Sequence, residues 1–239
     1  MGRKMVGYGQ FCPMAKATEL IGEKWTLLIL RELMLGTTRF SDFQRGISRM
    51  SPTLLAKRLR HLEECGIIIR KKLSGRNGYE YFLTVAGKEL GPLVELLSAW
   101  GMRWARDQLS DDELDVEFLM REQQRRLQTD RLPDGETVIC LIFNDLTTHK
   151  TWWLLVNGDT VDVCTDDPGK DVDLYVNSTV RTLVEIWEGD LDMRTALRNG
   201  SVKAHGLRHL TRTMPDWFGV CLYSEIRRGD PILMRERAD

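Results

Sequence analysis

The chain has 239 residues, of which 42% are hydrophobic and 29% charged, with a formal net charge of −1. This composition is that of a soluble folded protein and excludes a disordered one; no run of about 18 apolar residues offers a membrane span. The near-neutral average hides a polarity, since residues 1–107 carry 18 Lys and Arg against 10 Asp and Glu, and residues 108–239 carry 16 against 25.

A basic half joined to an acidic half is expected when one domain meets a polyanion and the other does not. The start, MGRKMVGYGQFCPM, lacks the apolar core of a signal peptide and the position-six Ser or Thr of a myristoylation signal, so the cytoplasm is the expected compartment. Cys12, Cys65, Cys140, Cys164 and Cys221 show no C-x-x-C spacing; neither a zinc knuckle nor a disulfide framework is expected. His205 and His209 lie four apart without a third ligand nearby, which suits a surface pair better than a metal site.

In AKATELIGEKWTLLILRELMLG, Leu20, Ile21, Trp25, Leu28, Ile29 and Leu33 are spaced as one helical stripe, stopped by Gly36. RFSDFQRGI is a second, shorter helix. Ser51 is an N-cap and Pro52 suits the first helical position of a third helix, residues 52–65, closed by Gly66. IIIRKK and YEYFLT read as strands around the turn LSGRNG, and Thr84 caps a helix carrying Leu90, Leu93, Val94, Leu97, Trp100 and Trp104. Three helices, a hairpin and a long helix is the order of a winged helix-turn-helix, assigned to residues 1–106.

The acidic stretch 107–117 is the expected linker. In residues 118–239, FLMREQQRRLQ is helical, and TVICLIF, TWWLLV, TVDVCTD and DLYVNS are strand-like, with Asn157-Gly158 as a hairpin turn. Two helices, the short strand SVKAHG and the helical LRHLTRTMPDWF follow. Strands followed by helices favour an α+β domain with helices on one face of a sheet.

On the third helix Leu54, Leu55, Leu59 and Leu62 form a face for burial, and Thr53, Ala56, Lys57 and Arg60 lie opposite. Its first turns suit a major groove about 12 Å wide. Thr53 and Lys57 are expected at bases, and Arg60 at phosphate. Arg45 and Arg49 precede the helix, and Ser51 offers its hydroxyl and a helix-start amide to a phosphate. Arg70, Lys71, Lys72 and Arg76 concentrate cations on the hairpin, residues 67–83, the expected wing on the backbone or minor groove. Glu63 and Glu64, at the far end of the helix, suggest that it enters N-terminus first.

The segments CPMAKATELIGEKWTLLILREL, RFSDFQRGISRMSPTLLAKRLRHLEECGII and YEYFLTVAGKEL resemble the HxlR-type transcriptional regulators, a branch of the winged helix-turn-helix class, over roughly residues 11–106. The resemblance implies a sequence-specific, homodimeric DNA-binding regulator with a pseudo-palindromic operator and the recognition helix at 52–65. It also implies a dimer interface formed by the helix after the wing, about residues 85–106, together with the N-terminal segment, with Leu93, Leu97, Trp100 and Trp104 on that helix; packing within the monomer explains the two tryptophans equally well. Cys12 matches the family's Cys-Pro, which implies a redox or electrophile sensor where the thiol is exposed. Residues 118–239, ending ALRNGSVKAHGLRHLTRTMPDWF, resemble sterol-carrier-protein-like domains. That implies an apolar cavity under a mixed sheet, with Leu183, Trp187, Met193, Met214 and Trp217 as candidates for lining a small apolar ligand or for simple core. No nucleophile–base pair, metal set or phosphate loop is found, so neither catalysis, cofactor nor membrane partner is expected. The alternative is a lipid or acyl carrier whose winged helix mediates protein contacts.

Overall fold

Pro13 opens the first helix, α1 (Pro13–Ile21), and the chain then breaks where the sequence suggests continuity. The computed structural model describes residues 7–73 and 78–230. Gly22 caps α1, and Trp25 stands at φ 81°, a left-handed conformation that redirects the chain into α2 (Thr26–Met34). The single stripe from Leu20 to Leu33 is therefore two helices. Ile21, Ile29 and Leu33 are buried, whereas Leu20 and Leu28 remain exposed.

The next two helices follow local rules. Helix α3 (Phe40–Gly46) precedes α4 (Pro52–Glu64), where Ser51 Oγ accepts the Leu54 amide at 3.4 Å and Pro52 occupies the first turn. Past α4, Gly66 takes φ 71°, which a residue without Cβ adopts at no steric cost. Strands β1 (Ile68–Lys72) and β2 (Tyr79–Leu83) pair antiparallel, Arg70 opposite Tyr81. The Tyr81 amide donates to Thr38 O at 2.9 Å, tying the hairpin to the segment before α3.

Thr84 caps α5 (Val85–Glu89) by accepting the Gly87 amide. A second helix, α6 (Gly91–Trp104), follows, so the long helix expected at 85–106 is also split. Pro92 supplies the reason, because its ring crowds the preceding residue and it has no N–H to continue the α5 ladder.

Packing divides the chain into Met1–Leu97 and Ser98–Asp239, with the boundary inside α6. Residues 107–117, the expected linker, take in the end of one short 3-10 turn, Arg106–Gln108, and the whole of another, Asp111–Glu113. The core of the first unit joins Ile29, Leu30, Phe43, Leu55, Leu59 and Leu62.

The second unit is built on a mixed sheet. Its elements are α7 (Val116–Arg126), β3 (Glu136–Phe143), β4 (Thr151–Asn157), β5 (Thr160–Cys164), β6 (Leu174–Ser178), α8 (Val180–Glu188), α9 (Met193–Asn199), β7 (Lys203–Gly206) and α10 (Arg208–Trp217). The strand order is β5-β4-β3-β6-β7, with β3 and β6 parallel and the other pairs antiparallel. Gly158 turns the β4–β5 hairpin at φ 56°. Alternation places Ile139, Leu141 and Phe143 of β3 on the same face as Leu154 and Val176, and that face joins residues of all four helices in one buried cluster.

Candidate nucleic-acid interface

Helix α4 is held in place by its apolar stripe. Leu55, Leu59 and Leu62 are each at most 1% exposed. Arg58 shares that side, although it is charged. Its guanidinium pairs with Glu23 and its Nε donates to Lys24 O at 3.2 Å, anchoring α4 to the turn between α1 and α2. With the inner face so fixed, Thr53, Lys57 and Arg60 project outward and are exposed; Ala56 between them is half-buried. Spacing of four and three residues puts these side chains on one face.

Ser51 is exposed at the start of α4, and its hydroxyl serves as the cap. Arg45 and Arg49 are exposed as well, with Arg45 paired to Asp42 on α3. Near the other end of α4, Glu63 meets Arg70 of β1 at 3.4 Å, so one of the two glutamates is engaged by the hairpin. Arg70 also lies over the Tyr79 ring at 4.3 Å and Lys71 over Phe82 at 5.2 Å. Lys71 and Lys72 are exposed, and as consecutive strand residues they point to opposite faces. Arg76 lies outside the described residues.

Two supports of this surface escape a reading of the sequence. Glu32 of α2 is fully buried, and its carboxylate accepts from Thr37 Oγ1 at 2.9 Å and Arg31 Nη2 at 3.0 Å. It lies against Gly46 so closely that a Cβ there would stand 2.2 Å from Glu32 Oε2. Arg39, exposed before α3, reaches Glu80 of β2 at 3.7 Å and adds a cation beside the hairpin. An acid inside an apolar helix was the available signal for Glu32; Arg39 carried none.

Cys12 is exposed, and Lys16, one turn later, is engaged by Glu19 at 2.9 Å. On α6, Leu93 and Leu97 are 41% and 43% exposed and Trp100 is 55% exposed. Trp104 differs, being half-buried with its ring lying directly against Gly229.

In the second unit, Leu183, Met193, Met214 and Trp217 are buried core residues, and Trp187 packs edge-on against Phe118 at 5.7 Å. A pocket of about 250 Å³ lies beside that core, lined by Ile186, Leu191, Met193, Phe218 and Val220 together with the polar Asp192 and Ser224. Of the five candidate ligand-lining residues, Met193 borders it. Burial pushes the Cys140 thiol up to about 11, aided by the charge of Asp167. His205 lies on β7 and His209 on α10. Among the described residues no group of three or more His, Cys, Asp or Glu is placed to hold a metal, and no helix is long and apolar enough to cross a membrane.

Residues 20–109 match the family described as HxlR-like helix-turn-helix. An HTH-type transcriptional regulator of Mycobacterium tuberculosis is 43% identical over 89 residues, 37% of this chain and 56% of that protein. The chain thus spans little more than half the length of that relative. The HTH-type transcriptional regulator YvaP of Bacillus subtilis is 32% identical over 97 residues, 40% of this chain and 90% of its own length. Among solved structures, the redox regulator HypR in its oxidised form shares 30% identity with a TM-score of 0.37, covering 42% of this chain and 99% of that one.

Proposed function

The chain belongs to the HxlR-like helix-turn-helix transcriptional regulators, and from that premise we propose that it binds double-stranded DNA in a sequence-specific manner as a homodimer. The observation that carries the reading is the division of α4 into a buried Leu55, Arg58, Leu59 and Leu62 face and an exposed Thr53, Lys57 and Arg60 face. Thr53 and Lys57 read bases in the major groove; Arg60, Ser51, Arg45 and Arg49 meet phosphates. The hairpin contributes Lys71, Lys72 and Arg76 to the backbone or minor groove.

Dimerisation runs through the exposed side of α6. Leu93, Leu97 and Trp100 recur at four and three residues, and leaving them in water is costly for a free monomer. Trp104, covered by Gly229, takes a lesser part. The operator is accordingly pseudo-palindromic, with half-site centres about 10 base pairs apart or a multiple of that. Exposure of Cys12 suits a thiol through which an oxidant modulates binding. Residues 118–239 act as a sterol-carrier-protein-like effector module whose pocket beside Met193 takes a small apolar ligand.

Footprinting of the full chain on DNA upstream of its own gene tests the central reading. Two protected half-sites related by symmetry support it. Protection that is uniform along the DNA and indifferent to sequence overturns it.

A further inference from the structure

Between Asp192 and Asp216 the chain holds no acidic residue, yet it carries Arg194, Arg198, Lys203, Arg208 and Arg212 together with His205 and His209. This run lies within the half where acidic residues outnumber basic ones. All seven side chains are exposed. Helix α10 buries Leu210, Met214 and Trp217, and at 100° per residue Arg208, His209 and Arg212 fall opposite them. Helix α9 buries Met193 and Ala196, which leaves Arg194 and Arg198 outward. An ion pair at 2.9 Å between Arg194 and Asp216 joins α9 to α10 side by side. The strand between them, β7, is the edge of the sheet; Ala204 turns into the core, so Lys203 and His205 alternate onto the other face of the sheet.

Elsewhere in this unit several arginines are paired with carboxylates, although Arg103 and Arg227 make no ion pair among the described residues. Glu122 holds Arg125 and Arg126, Asp190 holds Arg106 and Arg228, and Asp111 holds Arg181. Lys203, Arg208 and Arg212 make no ion pair among the described residues. Cations left without a carboxylate partner add nothing to the stability of the unit. Their arrangement fits a ligand with repeating negative charge.

We infer that the α9–β7–α10 edge is a second phosphate-contacting surface, which holds DNA outside the segment read by α4. The inference rests on the DNA-binding reading above. Duplex DNA is favoured over a lipid surface because Arg208, His209 and Arg212 make the outward face of α10 polar, and Leu207 at its start is a single exposed apolar side chain and not the apolar stripe that enters an acyl region. The edge is also covalently tied to α4, so DNA held by the first unit is presented to the second at high effective concentration. Its contacts go to phosphates and carry no sequence preference.

The test compares the full chain with Lys203→Gln/Arg208→Gln/Arg212→Gln on two duplexes, one limited to the footprinted operator and one extended by about 20 base pairs on each side. Every phosphate that is no longer neutralised flattens the slope of log K against log salt by about 0.9, so the triple variant should lose up to about 2.7 per protomer on the extended duplex. Affinity there should fall about tenfold or more, while binding to the short duplex stays unchanged. Arg198→Gln/Arg212→Gln, with one fewer change, should lose proportionally less. An unchanged slope on the extended duplex overturns the inference, as does loss confined to phosphatidylserine vesicles, which would assign the edge to a membrane. Lys57→Ala/Arg60→Ala separates the two readings. If that variant loses the operator and the edge variant keeps the wild-type slope, only the present inference fails; if the wild-type chain binds neither duplex, both fail.

Discussion

Replacing Arg58 by Ala is predicted to destabilise the first unit by about 2 kcal/mol, while the same change at its neighbour Lys57 leaves stability intact. The Arg58 side chain is 11% exposed, pairs with Glu23, and donates to Lys24 O at 3.2 Å. A hydrogen bond to a charged group contributes about 1.5–3 kcal/mol, and removing one partner of a buried ion pair costs about 3–5 kcal/mol. The Glu23 side chain is 34% exposed, so water replaces part of what it loses, which brings the cost down to about 2 kcal/mol. Such a loss lowers the folded-to-unfolded ratio roughly 30-fold and moves a urea midpoint by about 1 M for a unit of this size. Urea unfolding followed by circular dichroism, with hydrogen exchange of peptides from α1, α2 and α4 to localise the change, provides the assay. A midpoint for Arg58→Ala equal to wild type would refute the anchoring role. So would an equal loss in Lys57→Ala.

Gly46→Ala should also destabilise the first unit, by about 1–3 kcal/mol, because its Cβ would stand 2.2 Å from the buried Glu32 Oε2; a wild-type thermal melt would contradict this. Alkylation of the native protein at neutral pH should modify Cys12, which is exposed, well before Cys140, whose thiol burial lifts to about 11. Peptide mass spectrometry reads the order, and prior labelling of Cys140 would count against the packing described. At Glu188, burial and then the charge of Asp190 raise the pKa against the opposing pull of Arg106. A carboxyl raised on folding contributes stability that is full below its unfolded value, about 4.3, and is lost as pH rises through the folded value. Glu188→Gln should therefore raise the melting temperature at pH 8, with the gain shrinking toward pH 4; a gain independent of pH would argue against a desolvated carboxylate.

Much of the architecture follows from local rules. Ser51, Pro52 and Gly66 delimit α4, Thr84 caps α5, and Asn157-Gly158 marks the β4–β5 hairpin, because caps and tight turns depend on a few neighbouring residues. The break between α1 and α2 was hidden because Leu20, Ile21, Trp25, Leu28 and Ile29 keep helical spacing across it. Gly22 ends α1 and Trp25, a bulky residue at positive φ, redirects the chain; no local preference forecasts that conformation for Trp25. The break at Leu90 has a local signal in Pro92, although the apolar spacing runs across it. Arg58 shares the stripe of Leu55, Leu59 and Leu62, so its position announced burial although its charge argued against it. The exposed face of Thr53, Lys57 and Arg60 follows from the same wheel. Leu183, Met214 and Trp217 show the limit, since an apolar side chain that fills a core and one that lines a cavity have the same spacing. The helices and sheet packed around them decide between the two.

The most direct test of the central claim is the affinity of the full chain and of Lys57→Ala/Arg60→Ala for the operator from its own upstream region, measured by fluorescence anisotropy. Both changed residues are exposed, so the variant should melt like wild type. It should bind the operator at least about a hundredfold more weakly, losing the base and phosphate interactions proposed for α4. A folded variant that binds the operator as tightly as wild type would contradict the account.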